Sequence, residues 1–263
     1  MRFELLNVFT TDESSSGNQL AVVFPNQEIT ENEMQKVAKN FNFSETVFIR
    51  DHFHLRIFTP QSELPFAGHP TIGAAHSLGL QTKRKQFTLE VPRGVVEVEA
   101  SISGASLTFP GIPKIKNYGG NLTHILNHCQ VEETQVHTEL TRLVDVGPEF
   151  LIIPLRSHQA LKKAVSPLSL KEPLKCYFIF QHDPNTFFVR MFAPSLSVNE
   201  DPAIGSAACA LGGHLRDVMN IPAGSIEIFQ GREMNRPSLL HLKWGRSFIK
   251  LSGGVTKWGE GKL

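Results

Sequence analysis

The chain has 263 residues, of which 41% are hydrophobic and 19% charged, and its formal net charge at pH 7 is +1. This length gives one large domain or two small ones with enough apolar residues for a core, and the composition is typical of a soluble globular protein. The near-zero net charge gives no electrostatic reason to expect nucleic acid or an anionic membrane as a partner.

The cysteine content points to a reducing compartment. Cys129, Cys176 and Cys209 are widely separated, and they match neither a disulfide framework nor a zinc site, so we expect a cytoplasmic protein without a metal. No apolar run approaches the ~18 residues of a membrane span. The early acidic residue Glu4 is unlike a signal peptide. We therefore expect no membrane partner.

In the first half of the chain, the hydrophobic pattern predicts short strands and two helices. Thr30 and Glu33 form a capping-box sequence, and the apolar residues that follow recur at helical spacing. Gly68 opens a second helix, rich in small residues, that runs to about Leu80. The predicted strands cover residues 3–9, 20–24, 44–49, 54–58, 87–91, 95–99 and 106–109.

The prolines Pro110 and Pro113 interrupt this pattern and mark the expected boundary between an N-terminal half, 1–112, and a C-terminal half, 113–263. The second half repeats the order of strands and helices, with its own small-residue helix at Gly205. A helix that is apolar nearly all round belongs in a core. We therefore predict an α+β fold of two pseudo-symmetric halves. In each half, a curled mixed or antiparallel, barrel-like sheet wraps around a central helix.

The clearest sign of a duplication lies just before each small-residue helix. Residues 56–60 and 190–194 share the pattern Arg-x-Phe-x-Pro, and each is followed by a polar loop and then by Gly-His or Gly-Ser. Pro70 suits the first turn of a helix, because its missing N–H has no intrahelical partner there. The remaining N–H groups of a first turn and the helix dipole favour an anion. We expect both helix starts to face one site between the halves.

Polar residues near these helices are candidates for chemistry. Glu45 precedes an apolar strand, and its counterpart region in the second half is 175–176, so the carboxylate is not part of the repeated scaffold. Partial burial would raise its pKa towards the value that a general acid or base needs. An exposed glutamate at a strand end is the simpler interpretation of the residues alone. Asp201 also fits a turn or helix cap, and His69 also fits a role in stabilising the start of its helix.

Several motifs together resemble the phenazine-biosynthesis (PhzF-like) family, which shares the diaminopimelate-epimerase fold. The motifs are residues 44–46, 58–60, 63–71 and 200–207, and the resemblance runs in the family's order from residue 17 to residue 254. It implies that the catalytic residues are Glu45, His69, Asp201 and Ser206 and that the substrate-binding residues are Gly68 and Gly205.

The resemblance also implies what these residues do. Glu45 falls on the family's proton-shuttling glutamate, and His69 lies against the substrate. Asp201 contacts the substrate's polar substituents. Ser206 and the two glycines offer backbone N–H groups to a substrate carboxylate. Ser206 has no Gly-x-Ser-x-Gly elbow, so we do not expect a hydrolase nucleophile.

The resemblance further implies an isomerase that needs no cofactor. The fold's racemases and epimerases commonly carry a cysteine at each helix start, where His69 and Ser206 stand here. Cys209 is about one turn inside its helix, so two-base racemisation through thiols is disfavoured. We expect Glu45 to take a proton from a small cyclic, conjugated carboxylate and to return it at another carbon. The family's reaction isomerises dihydro-3-hydroxyanthranilate in phenazine synthesis, which implies a role in secondary-metabolite biosynthesis.

Two positions depart from the family's usual pattern. Ile204 stands where a threonine is common, which removes a hydroxyl beside the expected anion site. Asn235 stands where a glycine is common, and asparagine tolerates the left-handed backbone conformation. The change at Ile204 bears on specificity.

Two other functions fit the same sequence. One is an epimerase or racemase of an amino or hydroxy acid, which would need a second base opposite Glu45. The other is a non-catalytic binding protein that has kept the cleft. For the protein itself we expect a small-molecule carboxylate as the substrate and a homodimer as a possible assembly.

Overall fold

The computed structural model describes residues 1–11, 16–51, 53–170, 173–194 and 198–263 of the chain. These residues cluster into two units, the first of Met1–Pro110 with Lys250–Leu263 and the second of Gly111–Ile249. The units differ from the predicted halves 1–112 and 113–263 at the carboxyl end. The reason is that the final strand pairs with strands of the first unit.

The secondary structure alternates short strands with five described α-helices. The helices are α1 Glu31–Phe41, α2 Gly68–Thr82, α3 Leu122–His128, α4 His158–Lys163 and α5 Gly205–Asp217. The strands are β1 Arg2–Thr10, β2 Asn18–Phe24, β3 Glu45–Arg50, β4 His54–Phe58, β5 Glu63–Leu64, β6 Gln86–Val91, β7 Gly94–Ala100, β8 Gly104–Thr108, β9 Lys114–Lys116, β10 Arg142–Asp145, β11 Glu149–Pro154, β12 Cys176–Asp183, β13 Thr186–Ala193, β14 Val198–Asp201, β15 Gly224–Gln230, β16 Ser238–Trp244 and β17 Ile249–Lys262. Short 3-10 turns cover Glu133–Gln135, Thr138–Leu140 and Arg232–Met234.

In the first unit, the described strands form a closed barrel. β1 pairs with β2, β2 runs parallel to β3, and β3 pairs with β4. β4 lies parallel to β6, which continues through β7 to β8. β17 then pairs with both β8 and β1, so the ring of strands has no unpaired edge. A closed ring removes the exposed strand edges that favour aggregation.

Helix α2 forms the core of this barrel. Every residue from Gly68 to Gly79 is buried, and the helix packs against β1, β2, β3, β7 and β8. Its small residues are required by this packing. A Cβ atom on Gly73 would lie 2.3 Å from a methyl carbon of Leu20, which is closer than two carbon atoms can approach.

The second unit repeats this order of elements. β10 pairs with β11, which runs parallel to β12, and β12 pairs with β13. β13 carries the short strand β14 and lies parallel to β15, which pairs with β16. Helix α5 is buried from Gly205 to Leu215 and packs against β16, β10, β11 and β9. The predicted duplication and the α+β fold class are therefore confirmed.

Two local predictions are also confirmed. Thr30 and Glu33 form the capping box of α1, with the Thr30 side chain accepting the Glu33 N–H and the Glu33 side chain accepting the Thr30 N–H. Asn235 has φ 56° and occupies the left-handed region, which asparagine was expected to tolerate. Within the described ranges, none of the helices combines the length and apolar character that crossing a bilayer requires.

Buried His214 couples the stability of the second unit to pH. It lies in α5, and its Nε2 is 2.7 Å from the carbonyl oxygen of Leu140, so Nε2–H donates to that oxygen. Burial lowers the pKa of His214. The bond to Leu140 opposes this shift, and the charge of Arg142 adds to it. The unfolded chain has the higher pKa. The contribution of neutral His214 to stability is therefore fully present above about pH 6.5, and it is lost as pH falls from that value through the lower pKa of the folded state.

We predict that His214→Gln weakens this pH dependence. At about pH 7.5 the substitution should lower the free energy of unfolding by about 1–3 kcal/mol, because it leaves a buried amide acceptor in place of the ring and disturbs the bond to the Leu140 carbonyl. At about pH 5.5 the difference from wild type should shrink, because only wild type has begun to lose the contribution of the neutral imidazole. Urea unfolding at both pH values measures this. Exposed His241→Gln is the control, and an unchanged difference at both pH values would contradict the assignment.

Candidate active site

The central contact of the candidate site joins Glu45 and His69 within the first unit. Oε2 of Glu45 lies 2.8 Å from Nδ1 of His69, and the two side chains are 14% and 3% exposed. The atoms are at ion-pair distance, and Oε2 has no hydrogen-bond partner among the described residues. The structure thus brings together two of the predicted catalytic residues in a mostly buried place.

His69 also connects the start of α2 to the sheet. Its Nε2 lies 3.2 Å from the carbonyl oxygen of Gln19, which can only accept a hydrogen bond. Leu20 is paired with Glu45 across the parallel strands β2 and β3, so the two partners of His69 stand at adjacent strand ends. One ring nitrogen therefore fixes the imidazole, and the other faces the carboxylate. The contact with Gln19 fits a role of His69 in stabilising the start of α2.

The two buried helices begin without a capping side chain. Their N-cap residues are Ala67 and Ile204, and neither offers a side-chain hydrogen bond or has an acidic residue in the first turn. The described surface helices α1, α3 and α4 differ, because Thr30, Asn121 and Ser157 cap them. An uncapped first turn keeps N–H donors and the positive end of the helix dipole available to a ligand. This is the local property that an anion site needs.

The second unit places the other predicted site residues around the start of α5. Gly205 and Ser206 form its first turn and are buried. Asp201 ends β14, is buried, and accepts the N–H of Ala203 on Oδ1 at 2.9 Å. This bond closes a turn, which was one interpretation of Asp201 from the sequence. It also fixes the orientation of the carboxylate. Asp201 and Ser206 thus lie in a different unit from Glu45 and His69.

The thiols of the second unit are unsuited to act as bases. Cys209 is fully buried, and burial raises its pKa to about 12. Cys176 is paired with Leu151 across the parallel strands β11 and β12, as Glu45 is paired with Leu20 in the first unit. The pKa of Cys176 is raised by a hydrogen bond with Cys129 and by burial. The position equivalent to Glu45 therefore carries a protonated thiol.

The described ranges contain no group of three or more His, Cys, Asp or Glu residues that could hold a metal ion. His54 and Glu90 form an exposed pair with their side-chain atoms 2.6 Å apart. This pair resembles that of Glu45 and His69 in its chemistry and differs in its exposure. It therefore serves below as a matched control.

Sequence reasoning missed the groups that hold the site loops. Arg56 forms an ion pair with Glu63 in the first unit, and Arg190 forms one with Glu200 in the second. Both arginines belong to the repeated Arg-x-Phe-x-Pro pattern, which marks their positions in the sequence. The pattern did not identify Glu63 and Glu200 as their partners. A second omission is Gln230, whose Nε2 donates to the carbonyl oxygen of Asp201 at 2.8 Å.

Comparison with known proteins finds similarity over nearly the whole chain. The phenazine biosynthesis-like protein family matches residues 6–254. A trans-2,3-dihydro-3-hydroxyanthranilate isomerase of Pseudomonas aeruginosa is 31% identical, over 99% of this chain and 98% of that protein. A PhzF-family phenazine biosynthesis protein of Bacillus anthracis has a TM-score of 0.86 at 18% identity, over 100% of this chain and 98% of that one. A probable proline racemase of Agrobacterium radiobacter has a TM-score of 0.66 at 9% identity, over 100% and 92% of the two chains.

These similarities define the class of protein. The chain is an isomerase with a diaminopimelate-epimerase-like fold. It belongs to the phenazine biosynthesis-like protein family.

We predict that small anions bind at both uncapped helix starts. Titration with acetate, followed by amide NMR, should shift the signals of Gly68, His69, Gly205 and Ser206, and each start should contribute ~0.3–1 kcal/mol, or up to ~2 if partly buried. Ala67→Asp supplies a capping carboxylate and should abolish the response at α2 alone. The capped start of α1 is the internal control. Equal shifts there would mean that the acetate effect is non-specific.

Proposed function

We propose that this isomerase moves a proton within a small cyclic, conjugated carboxylate, with Glu45 as the single acid–base residue and without a cofactor. The observation that carries the proposal is the 2.8 Å contact between Glu45 and His69 beside the uncapped start of α2. It puts a mostly buried carboxylate beside donors that favour a bound anion. Proton transfer between carbons needs a base and a place for the developing charge, and these residues supply both.

The Glu45–His69 contact requires a proton. Two lone pairs facing each other at 2.8 Å would repel, so one of the facing atoms is protonated. Because Nε2 of His69 donates to Gln19, Nδ1 is the nitrogen that faces the carboxylate. In the proposed mechanism His69 carries the proton of this contact, so Glu45 faces it as a carboxylate and can accept a proton from the substrate.

The proposed reaction conserves all atoms and charge. Glu45 takes a proton from a carbon of the substrate, and the electron pair of the broken C–H bond spreads through the conjugated system into the carboxylate. Fixed N–H groups at the helix start stabilise this charge more strongly in the transition state than in the ground state. Glu45 then returns the proton to another carbon of the same system, and the enzyme ends in its starting state.

For the second unit, the resemblance supports roles in substrate binding. Asp201 would accept hydrogen bonds from the substrate's polar substituents, and the amides of Gly205 and Ser206 would donate to an anionic group. Ile204 replaces the usual threonine at the N-cap of α5 and provides no side-chain hydrogen bond there. This difference bears on substrate specificity. The substrates of relatives are therefore compounds to test on this chain. The P. aeruginosa relative's named substrate, trans-2,3-dihydro-3-hydroxyanthranilate, is the first compound to test.

An epimerase remains the competing activity, because the fold is shared with a probable proline racemase. The raised pKa of Cys209 and the protonated thiol of Cys176 argue against a two-thiol mechanism. The activities are separated by incubating trans-2,3-dihydro-3-hydroxyanthranilate and, separately, an α-amino acid such as proline in deuterated buffer. Migration of the double bond supports the isomerase, whereas inversion at an α-carbon supports the epimerase.

We predict that Glu45→Gln abolishes proton transfer without unfolding the protein. Glutamine is nearly isosteric but cannot accept the proton, so kcat should fall by ~10²–10⁴-fold. Glu90→Gln is the matched control, because it alters the exposed His54–Glu90 pair while leaving the proposed base intact. NMR of the substrate in deuterated buffer and thermal melting measure the two effects. Wild-type turnover by Glu45→Gln would show that another residue is the base.

We predict that Asp201→Asn weakens both substrate binding and turnover. A hydrogen bond that involves a charged group contributes about 1.5–3 kcal/mol, so kcat/KM should fall by about 10–100-fold. Asp183→Asn is the control, because Asp183 accepts the N–H of Asn185 in the same kind of turn at an exposed position. Steady-state kinetics measure the effect. Equal losses in the two variants would place the effect in the turn and not in substrate binding.

A further inference from the structure

The backbone on both sides of Asp201 is fixed by residues from other elements. Nε2 of Gln230, at the end of β15, donates to the carbonyl oxygen of Asp201 at 2.8 Å, and both side chains are buried. The two residues are 29 positions apart, so this bond is not part of the turn that contains Asp201. Gln230 therefore ties the end of β14 to a separate strand of the second unit.

The next residue makes a second contact with the same segment. Gly231 has φ +77°, and a Cβ atom there would lie 2.7 Å from the carbonyl oxygen of Pro202. Only glycine allows this backbone conformation together with this close approach without strain. The turn after β15 thus packs closely against Pro202, while Gln230 donates to the carbonyl oxygen of Asp201.

Glu200, the residue before Asp201, is also held by a residue of another strand. Nε and Nη2 of Arg190 donate to the two carboxylate oxygens of Glu200, each at 2.8 Å, and Nη1 donates to the carbonyl oxygen of Ala164 at 2.6 Å. Arg190 is buried, and a two-point guanidinium–carboxylate contact defines an orientation as well as a distance. Glu200, Asp201 and Pro202 are therefore held at three successive positions.

We infer that Gln230 is a positioning residue for Asp201 and acts through its backbone carbonyl. The inference rests on the substrate-binding role proposed for Asp201. Within the described part of the chain, Oε1 of Gln230 is buried without a hydrogen-bond partner, which is unfavourable for stability. An apolar side chain of the same size would avoid that unpaired acceptor. The amide donor is thus explained by the bond to Asp201 and not by core packing.

The first experiment compares Gln230→Met with wild type, using trans-2,3-dihydro-3-hydroxyanthranilate as substrate. Methionine keeps the length of the side chain and removes the donor. We expect kcat/KM to fall by about 10–100-fold, because small displacements of substrate-contacting groups have effects of this size. In an Asp201→Asn background the same substitution should cause no further loss, because it acts through Asp201. Losses that multiply in the double variant, or unchanged kcat/KM in Gln230→Met, would overturn the inference.

Gln35→Met is the matched control. Nε2 of Gln35 donates to the carbonyl oxygen of Thr59 at 2.8 Å in the first unit, so the same type of bond is removed from a loop without a proposed substrate contact. Its kcat/KM should equal that of wild type. A loss as large as that of Gln230→Met would mean that any such loop bond has the same effect, which would also overturn the inference.

Gln230→Glu gives a test that does not depend on Gln230→Met folding. A protonated glutamic acid can donate to the carbonyl oxygen of Asp201, whereas an ionised one cannot. The ratio of kcat/KM between this variant and wild type should therefore rise as pH decreases. A ratio that is constant with pH would contradict a donor role for residue 230.

A ligand-free measurement separates this inference from the proposed function. Carbon-detected NMR of the Asp201 side-chain carboxyl group, titrated with pH, should give a different curve in Gln230→Met or Gln230→Glu than in wild type and Gln35→Met. If wild type does not act on the chosen substrate, the proposed function fails while this comparison still decides the positioning role. Identical titration curves in all proteins would overturn the positioning role, whatever the enzyme activity.

Discussion

The structure depends on burying a helix whose first turn has no capping side chain. Helix α2 is surrounded by strands from Gly68 to Gly79, and α5 is buried from Gly205 to Leu215. Such burial demands small side chains, because the strands lie too close for larger ones. It also leaves polar N–H groups at the helix start in a place where water is scarce. In the proposed function, a bound anion satisfies those groups.

The two units share this scaffold but not its chemistry. Equivalent positions on β3 and β12 carry Glu45 and Cys176, which the strand register identifies as counterparts. The carboxylate is mostly buried beside His69, whereas the thiol is held protonated by its surroundings. Duplication of a fold therefore does not duplicate an acid–base group. In the proposed reaction this asymmetry leaves one residue to move the proton in both directions.

Much of the fold could be predicted from the sequence because its signals are local. The capping box of α1, the small residues of α2 and the left-handed Asn235 each follow from a few neighbouring residues. The repeated Arg-x-Phe-x-Pro pattern was long enough to predict the duplication. The catalytic assignment of Glu45 came from the family resemblance, since its residues alone favoured an exposed strand end. The contact with His69 adds geometry to that assignment.

What could not be predicted depends on contacts between distant residues. The bond from Gln230 to Asp201 and the bond from Arg190 to the carbonyl oxygen of Ala164 have no periodic signature in the sequence. The membership of residues 250–263 in the first unit was likewise hidden, because strand pairing across more than 200 positions leaves no local pattern. Hydrophobic alternation predicts that a segment is a strand, but it does not say which strand will pair with it.

The pairing of β17 has a consequence for the order of events during synthesis. Gly111–Ile249 is a continuous stretch of chain, whereas the barrel of the first unit needs residues from both sides of that stretch. The ring between β8 and β1 cannot close until residues 250–262 have left the ribosome. Until then, β1 and β8 present unpaired edges that can pair with other chains. The first unit therefore begins to be synthesised first, but its barrel closes only after β17 has been made and has paired with β1 and β8.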